Sequence, residues 1–184
     1  MPLALLAIGS VLDTEKYEVI IVDARIEANP LKLIKQHINE AICFGVTALT
    51  GRPIKDALLM TQQVHQLDKN IPIIWGGWHA SLFPEQTLID EKAISVTVQG
   101  QGEDTFKELV QVIENKGDFK DVKGICFRNN LGEVVKNPPR VISKMDNFYD
   151  INYDLIDVEK YFAKKGTRQL DYISSTGCYF RCSF

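Results

Sequence analysis

The sequence predicts an α/β fold: an open, parallel sheet of flavodoxin-like or Rossmann-like type with helices on both faces. Three observations predict it. Short apolar runs of strand length alternate with longer stretches of helical spacing. The runs are continuous rather than alternating in polarity, as in parallel strands buried on both faces. Several of them end on glycine or hydroxyl residues just before a helical pattern begins.

Taken in order, Pro2 to Leu12 is apolar on nearly every side and reads as a buried crossover helix. Residues 17–24 (YEVIIVDA) form an apolar run ending on Asp23 and Ala24, the first expected strand. Residues 30–38 have helical spacing, with Pro30 in a favourable first-turn position. Residues 41–50 (AICFGVTALT) are a second buried strand. Residues 52–70 are the clearest amphipathic helix, with Ile54, Leu58, Leu59, Val64 and Leu67 expected to face inward. A third strand spans 71–77, a short helix 84–91, and a fourth strand 94–100. Residues 103–117 close this part as a helix, with Gly117 its expected C-terminal cap.

After residue 117 the pattern changes. Residues 123–137 read as a β-hairpin turning near Asn130, Leu131 and Gly132. Residues 138–162 mix proline, aspartate and aromatics without a period and read as a linker over a surface. Residues 168–178 look like a fifth strand running into a cysteine loop. The expected organisation is therefore an α/β domain over 1–117, a hairpin extension over 118–140, a linker over 141–167 and the start of a further domain over 168–184.

Composition bounds the function. The 184 residues are 45% hydrophobic and 24% charged, ordinary for a globular protein large enough to hold one full core. A net charge of −3 argues against nucleic acid as a partner. No apolar run approaches the roughly 18 residues that cross a bilayer, and the apolar start lacks a basic leader and a cleavage site. Four cysteines are too few for a secreted disulfide scaffold, which points to a reducing cytoplasm.

Ligands of open parallel sheets bind at the carboxyl ends of the strands, and three such ends share one character. The strand at 41–50 offers the hydroxyls of Thr47 and Thr50 beside Gly45 and Gly51. The next ends on Gly76 and Gly77, which leave backbone open to a ligand, followed by His79. A branched side chain at Gly77 is expected to block that ligand with the fold intact. The last ends on Gly100 and Gly102, with Glu103 opening a helix whose amides could meet an anion. Each turn alone is an ordinary strand-to-helix connection; together they suggest a long groove for a large ligand. His37 and His65 fall on helices and read as solvated or satisfied side chains, and Cys43 and Cys126 as small hydrophobes.

Cys178 and Cys182 differ, because they lie in a glycine-preceded loop after a strand. A C-x3-C pair alone fits a chance pair or half a zinc site. With a cysteine following Phe184 it would become C-x3-C-x2-C, three thiolates for a [4Fe–4S] cluster with one iron left open. The open iron of such a cluster can be chelated by S-adenosylmethionine.

With these residues in view, TGCYFRCSF (176–184) resembles the cluster loop of radical S-adenosylmethionine enzymes without its last cysteine. PLALLAIGSVLDTEKYEVIIVDA, FGVTALTG, IPIIWGGWHASLFPEQTL, VQGQGEDTFKELV, KGICFRNNLGEVVKNPPR and YDLIDVEKYF together resemble the cobalamin-binding domain that precedes the barrel in one large class of those enzymes. The class includes methylases and the anaerobic Mg-protoporphyrin monomethyl ester oxidative cyclase. The D-x-H-x-x-G string that supplies a cobalt ligand in domains of methionine-synthase type does not occur here.

The resemblance implies cobalamin over the strand ends, its nucleotide tail running between Gly76-Gly77 and Gly100–Gly102 and bonded by Thr47 and Thr50. It further implies Cys178 and Cys182 as cluster ligands, with S-adenosylmethionine and the cluster belonging to the full-length protein. The chain is then expected to be inactive alone, a piece cut within the cluster motif whose partner is its own barrel domain. Substrate and lower cobalt ligand stay unassigned. Two other readings stand beside this one: a flavodoxin-like binding module without a corrin, and a zinc-binding redox protein.

One expectation concerns strand order. The chain opens on a helix, whereas folds of this type usually open on a strand, which in a 2-1-3-4-5 order would lie between 17–23 and 41–49. The gap is expected to be filled by residues 169–175 or by a strand from a second copy in a homodimer, with upstream residues the remaining candidate.

Overall fold

In the computed structural model of the chain, residues 1–142 and 149–173 are described. Their elements run α1 (Leu3–Ser10), α2 (Pro30–His37), β1 (Phe44–Thr47), α3 (Pro53–Leu67), β2 (Ile73–Gly76), α4 (Trp78–Leu82), α5 (Pro84–Asp90), β3 (Val96–Val98), α6 (Glu103–Glu114), β4 (Ile125–Arg128), β5 (Val134–Lys136) and α7 (Val158–Lys165).

The strands form one sheet in the order β1-β2-β3-β4-β5. β1, β2 and β3 are parallel, with Phe44 opposite Ile73 and Ile74 opposite Val96. β4 runs antiparallel to β3, and β5 antiparallel to β4. The expected hairpin therefore exists, but as a continuation of the same sheet rather than an appendage.

Side-chain alternation along each strand feeds two cores. Ile73, Trp75 and Cys126 join Ile34 of α2, Ala57 and Val64 of α3 and Leu88 of α5 on one face. Ile74, Val96, Val98, Ile125 and Phe127 join Leu109 and Phe106 of α6 on the other. α1 packs beside α6, with Ile8 reaching toward Gly102. Helices thus cover both faces, as expected.

Trp75 is fully buried, and its indole N–H donates to Thr61 Oγ1 at 2.8 Å, so the one polar group that β2 carries inward is satisfied. On α3 the inward face is Ile54, Ala57, Leu58, Thr61 and Val64. Leu59 and Leu67 are 55% and 38% exposed, contrary to expectation, because the buried stripe is narrower than the apolar stripe.

Three further departures are local. α6 ends at Asn115 and Lys116, and Lys116 takes the left-handed conformation (φ 51°) expected of Gly117. Gly117 instead donates its N–H to Val112 C=O at 2.8 Å, a position where a Cβ would press on Val112. Part of the expected linker is helix: α7 is capped by Asp157, whose side chain accepts the Glu159 N–H, and by left-handed Gly166. Residues 168–173, expected to begin a fifth strand, form no strand, and 174–178 lie outside the described residues.

The expected strand at 17–23 is the largest departure. These residues join no ladder, and the β1 edge is likewise unpaired on its outer side among the described residues. Among the described residues no strand pairs there: 169–173 form none, and 174–175, the rest of the segment expected to fill the gap, lie outside the described residues.

Candidate functional site

The parallel strands carry their carboxyl ends to one rim, where β1 ends at Thr47, β2 at Gly76 and β3 at Val98. Backbone hydrogen bonds knit the first two ends together. The Ala48 N–H donates to Gly76 C=O at 3.0 Å, and the His79 N–H donates to Ala48 C=O at 3.1 Å.

Gly77 makes that junction possible. Its φ is +87°, a conformation L side chains rarely adopt, and a Cβ there would lie 2.8 Å from Thr47 Oγ1 and 2.9 Å from Ala48 O. The sequence expectation is corrected at this point: a branched side chain at Gly77 strikes the tip of β1, so it disturbs the fold before it disturbs a ligand. Gly76 is the opposite case. Nothing lies within 4 Å of the place where its Cβ would stand, and the same holds for Gly100.

Ser81 of α4 joins the second and third ends, a role that sequence reasoning missed. Its hydroxyl donates to Gly77 C=O at 2.9 Å and accepts the Gly100 N–H at 3.0 Å. A serine four residues after a glycine is common on helices, so no local signal marked it.

Thr47 and Thr50 are both exposed at the β1 end. Large apolar side chains stand exposed beside them: Leu49 at 54%, Trp78 at 68%, Leu82 and Phe83. Such a cluster of solvent-facing apolar groups on a rim suits a large, partly apolar ligand. His79 lies against Phe83, ring centroids 5.5 Å apart, and its Nδ1 is enclosed without a hydrogen-bond partner. Gly102 and Glu103 open α6, but Glu103 and Asp104 both fall in its first turn. These carboxylates already answer the positive end of the helix, which leaves less there for an anion than the sequence expectation held.

The other cysteines behave as expected of buried hydrophobes. Burial pushes the Cys43 thiol up to about 12 and raises that of Cys126, so neither is a thiolate at neutral pH. Cys178 and Cys182 lie outside the described residues. Among the described residues no three His, Cys, Asp or Glu side chains gather as metal ligands, and no helix is long and apolar enough to cross a membrane.

A second cluster sits where 17–23 ends. Asp23 is buried, paired with Arg25 at 2.6 Å, and accepts a hydrogen bond from Tyr161 of α7 at 3.1 Å. It ties α7 to the body of the domain.

Comparison with known proteins finds likenesses to both sequences and solved structures. A family model described as B12 binding domain matches residues 1–110, a span containing all three parallel strand ends. An uncharacterized methyltransferase of Pyrococcus horikoshii is 31% identical over 188 residues, covering 100% of this chain and 40% of that protein. An anaerobic magnesium-protoporphyrin IX monomethyl ester cyclase of Synechocystis is 27% identical, covering 100% of this chain and 37% of that protein. The chain thus spans about two fifths of the length of these relatives.

Among solved structures, the radical S-adenosylmethionine methyltransferase TsrM of Kitasatospora setae, with cobalamin and a [4Fe–4S] cluster bound, matches with TM-score 0.64 at 21% identity. That match covers 84% of this chain and 29% of that one. The cobalamin-dependent S-adenosylmethionine radical enzyme OxsB, with aqua-cobalamin and S-adenosylmethionine bound, matches with TM-score 0.61 at 20% identity over 77% and 20% of the two chains. At these identities the likeness speaks for the fold.

Proposed function

We infer the function from one premise: the chain belongs to the B12-binding domain family. We propose that residues 1–110 hold cobalamin over the ends of β1, β2 and β3, in a longer protein that is a radical S-adenosylmethionine enzyme. The observation that carries this reading is the open backbone at Gly76 and Gly100, two adjacent strand ends bridged by Ser81 and flanked by exposed apolar side chains. A corrin is broad and largely apolar with a polar, anionic tail, and the rim offers both surfaces that it needs.

A bound cobalamin supplies a cobalt centre able to carry a methyl group. The chain's own residues hold and orient it. Gly76 and Gly100 leave space for the nucleotide tail, Gly102 borders it with its own Cβ position taken up by Ile8 of α1, and Thr47 and Thr50 present hydroxyls to the tail. Gly77 fixes the tip of β1 beside that space, and His79 and Glu103 border it. Leu49, Trp78 and Leu82 provide apolar contact and exclude water from the corrin face.

In the full-length protein, Cys178 and Cys182 would supply two thiolates of a [4Fe–4S] cluster, with a third from elsewhere in the polypeptide. The relatives include both a methyltransferase and an oxidative cyclase, so the reaction class we assign is methyl transfer or oxidative cyclisation, in the cytoplasm. The partner of this domain is then the remainder of its own polypeptide, which would carry the substrate contacts.

The test is a titration of the natural protein with hydroxocobalamin. A saturable shift of the visible corrin bands, with cobalamin co-eluting at one per chain on gel filtration, is expected. Absence of both would leave a flavodoxin-like module without a corrin.

A further inference from the structure

The stretch that reads as a linker in sequence is fastened by its side chains to separate parts of the α/β domain. Tyr149 lies on α6, with Lys107 Nζ 5.0 Å from the centre of its ring. The Asn152 N–H donates to Ser10 Oγ of α1 at 2.8 Å. Leu155 then presses onto the same helix. Its Cδ1 stands 2.9 Å from the place a Gly9 Cβ would take, so glycine at that position makes its seat.

α7 is fastened at a third place. Tyr161 is its one buried residue, and the hydroxyl donates to the buried Asp23 at 3.1 Å. Two lysines of the same helix reach the loop after Asp23. Lys160 pairs with Glu27 at 3.2 Å, and Lys164 Nζ donates to Arg25 C=O. A helix of eight residues does not hold itself in water, so its order depends on this seat.

The chain next turns back on α7. Gly166 is left-handed (φ +73°), and Arg168 returns to Glu159 with two parallel hydrogen bonds of 2.6 and 2.7 Å. Its guanidinium also lies 4.9 Å from the centre of the Phe162 ring. Asp171 pairs with Lys165, and its C=O accepts the hydroxyl of Tyr153, 18 residues earlier. The segment is thereby closed on itself, and Tyr172, 77% exposed, is the first residue past the lock.

We propose that residues 149–171 are a rigid mount of the α/β domain and not a flexible tether, and that the mount fixes where and in which direction the rest of the polypeptide leaves. Tyr161 and Glu159 are positioning residues in it. Tyr161 holds α7 to the body of the domain through Asp23, and Glu159 holds the exit turn through Arg168. Exposed ion pairs such as Lys160–Glu27 contribute little to such a hold. The buried Tyr161–Asp23 bond and the Leu155 contact carry it.

The positioning role rests on the function proposed above, in which this domain holds cobalamin and the following part carries the cluster. A preset exit removes freedom that a tether would have to lose each time the two parts meet.

Amide hydrogen exchange on the natural full-length protein, free of cobalamin, tests the mount without calling on that function. The α7 amides that bond within the helix, up to Gly166, should be protected on the order of a hundredfold or more over unstructured chain. In Tyr161→Phe they should exchange about fivefold faster, the factor that one hydrogen bond supplies, with α3 and α6 unchanged. Glu159→Gln should free only 168–171. Near-unprotected α7 beside protected α6 would show a loose tether and overturn the proposal. Protection that Tyr161→Phe leaves unchanged would mean that α7 is held from elsewhere in the polypeptide, and would overturn it equally.

Pulsed EPR on the holoprotein, with cob(II)alamin and the reduced cluster as the two spins, reads the positioning itself. One narrow distance distribution is expected, broadened in the Tyr161→Phe/Glu159→Gln double variant at unchanged hydroxocobalamin affinity. A broad distribution in the natural protein would overturn the positioning role. A protein that takes up no corrin yet shows the expected exchange would overturn the proposed function and bear out the mount.

Discussion

Thr47 and Gly77 bring the tips of β1 and β2 into contact, with 2.8 Å between Thr47 Oγ1 and the place a Gly77 Cβ would take. This contact separates two glycines that the sequence presents as equals. Gly77→Val should destabilise the fold by about 1–3 kcal/mol through backbone strain alone, with steric overlap added to it. Gly76→Val enters open space and should keep a near-native urea midpoint while weakening hydroxocobalamin binding about tenfold or more, roughly 1.4 kcal/mol. Undiminished cobalamin affinity in a folded Gly76→Val protein would remove Gly76 from the site.

Ser81→Ala tests the bridge between the second and third strand ends. The hydroxyl accepts the exposed Gly100 N–H, which water can satisfy in its absence, so stability should fall by no more than about 1 kcal/mol. The Gly100 turn loses its tether to α4, and corrin affinity should fall with it. Equal affinity in the two proteins would make Ser81 a purely local helix feature.

Thr61→Val removes the partner of the buried Trp75 indole and nearly preserves shape. An unsatisfied buried donor costs about 1–3 kcal/mol, and the loss should read as a lower urea midpoint followed by tryptophan fluorescence. In Trp75→Phe the same Thr61→Val change should cost less, because the donor is already gone. Additive effects would mean the bond contributes nothing.

Asp23 gives the stability a pH dependence. Burial pushes its carboxyl up, but the hydrogen bonds and charge of Arg25, with the Tyr161 hydrogen bond, outweigh that and hold it below the usual carboxylate range. A group depressed in the folded state stabilises fully above its unfolded value, about 3.9, and loses that contribution as pH falls through the folded value. Denaturation midpoints should therefore drop more steeply below pH 4 for the natural chain than for Asp23→Asn. Parallel acid limbs would show that Asp23 is not linked to folding. Tyr161→Phe should cost about 1 kcal/mol at neutral pH and loosen α7.

Much of this fold was legible in residue order because its signals are local. Apolar runs and helical spacing are properties of a few consecutive residues, and they placed α1, α2, α3, α5, α6, the hairpin and the three parallel strand ends. α7 was missed and read as linker, because a run of mixed aromatics and acids obscured its period, although its Asp157 and Gly166 caps are local features. The rim of Thr47, Thr50, Gly76 and Gly100 follows from the rule that parallel sheets bind at their carboxyl ends.

What only the tertiary structure decided depends on neighbours in space. Residues 17–23 have every intrinsic mark of a strand, yet a strand exists only as half of a hydrogen-bonded pair, and nothing in residues 18–22 states whether a partner is beside them. The exposure of Leu59 was set by how far the neighbouring helices reach, not by its place on α3. The division of labour between Gly76 and Gly77 was set in the same way: one faces open space and the other the tip of β1, a distinction between adjacent identical residues that exists only once β1 and β2 are side by side.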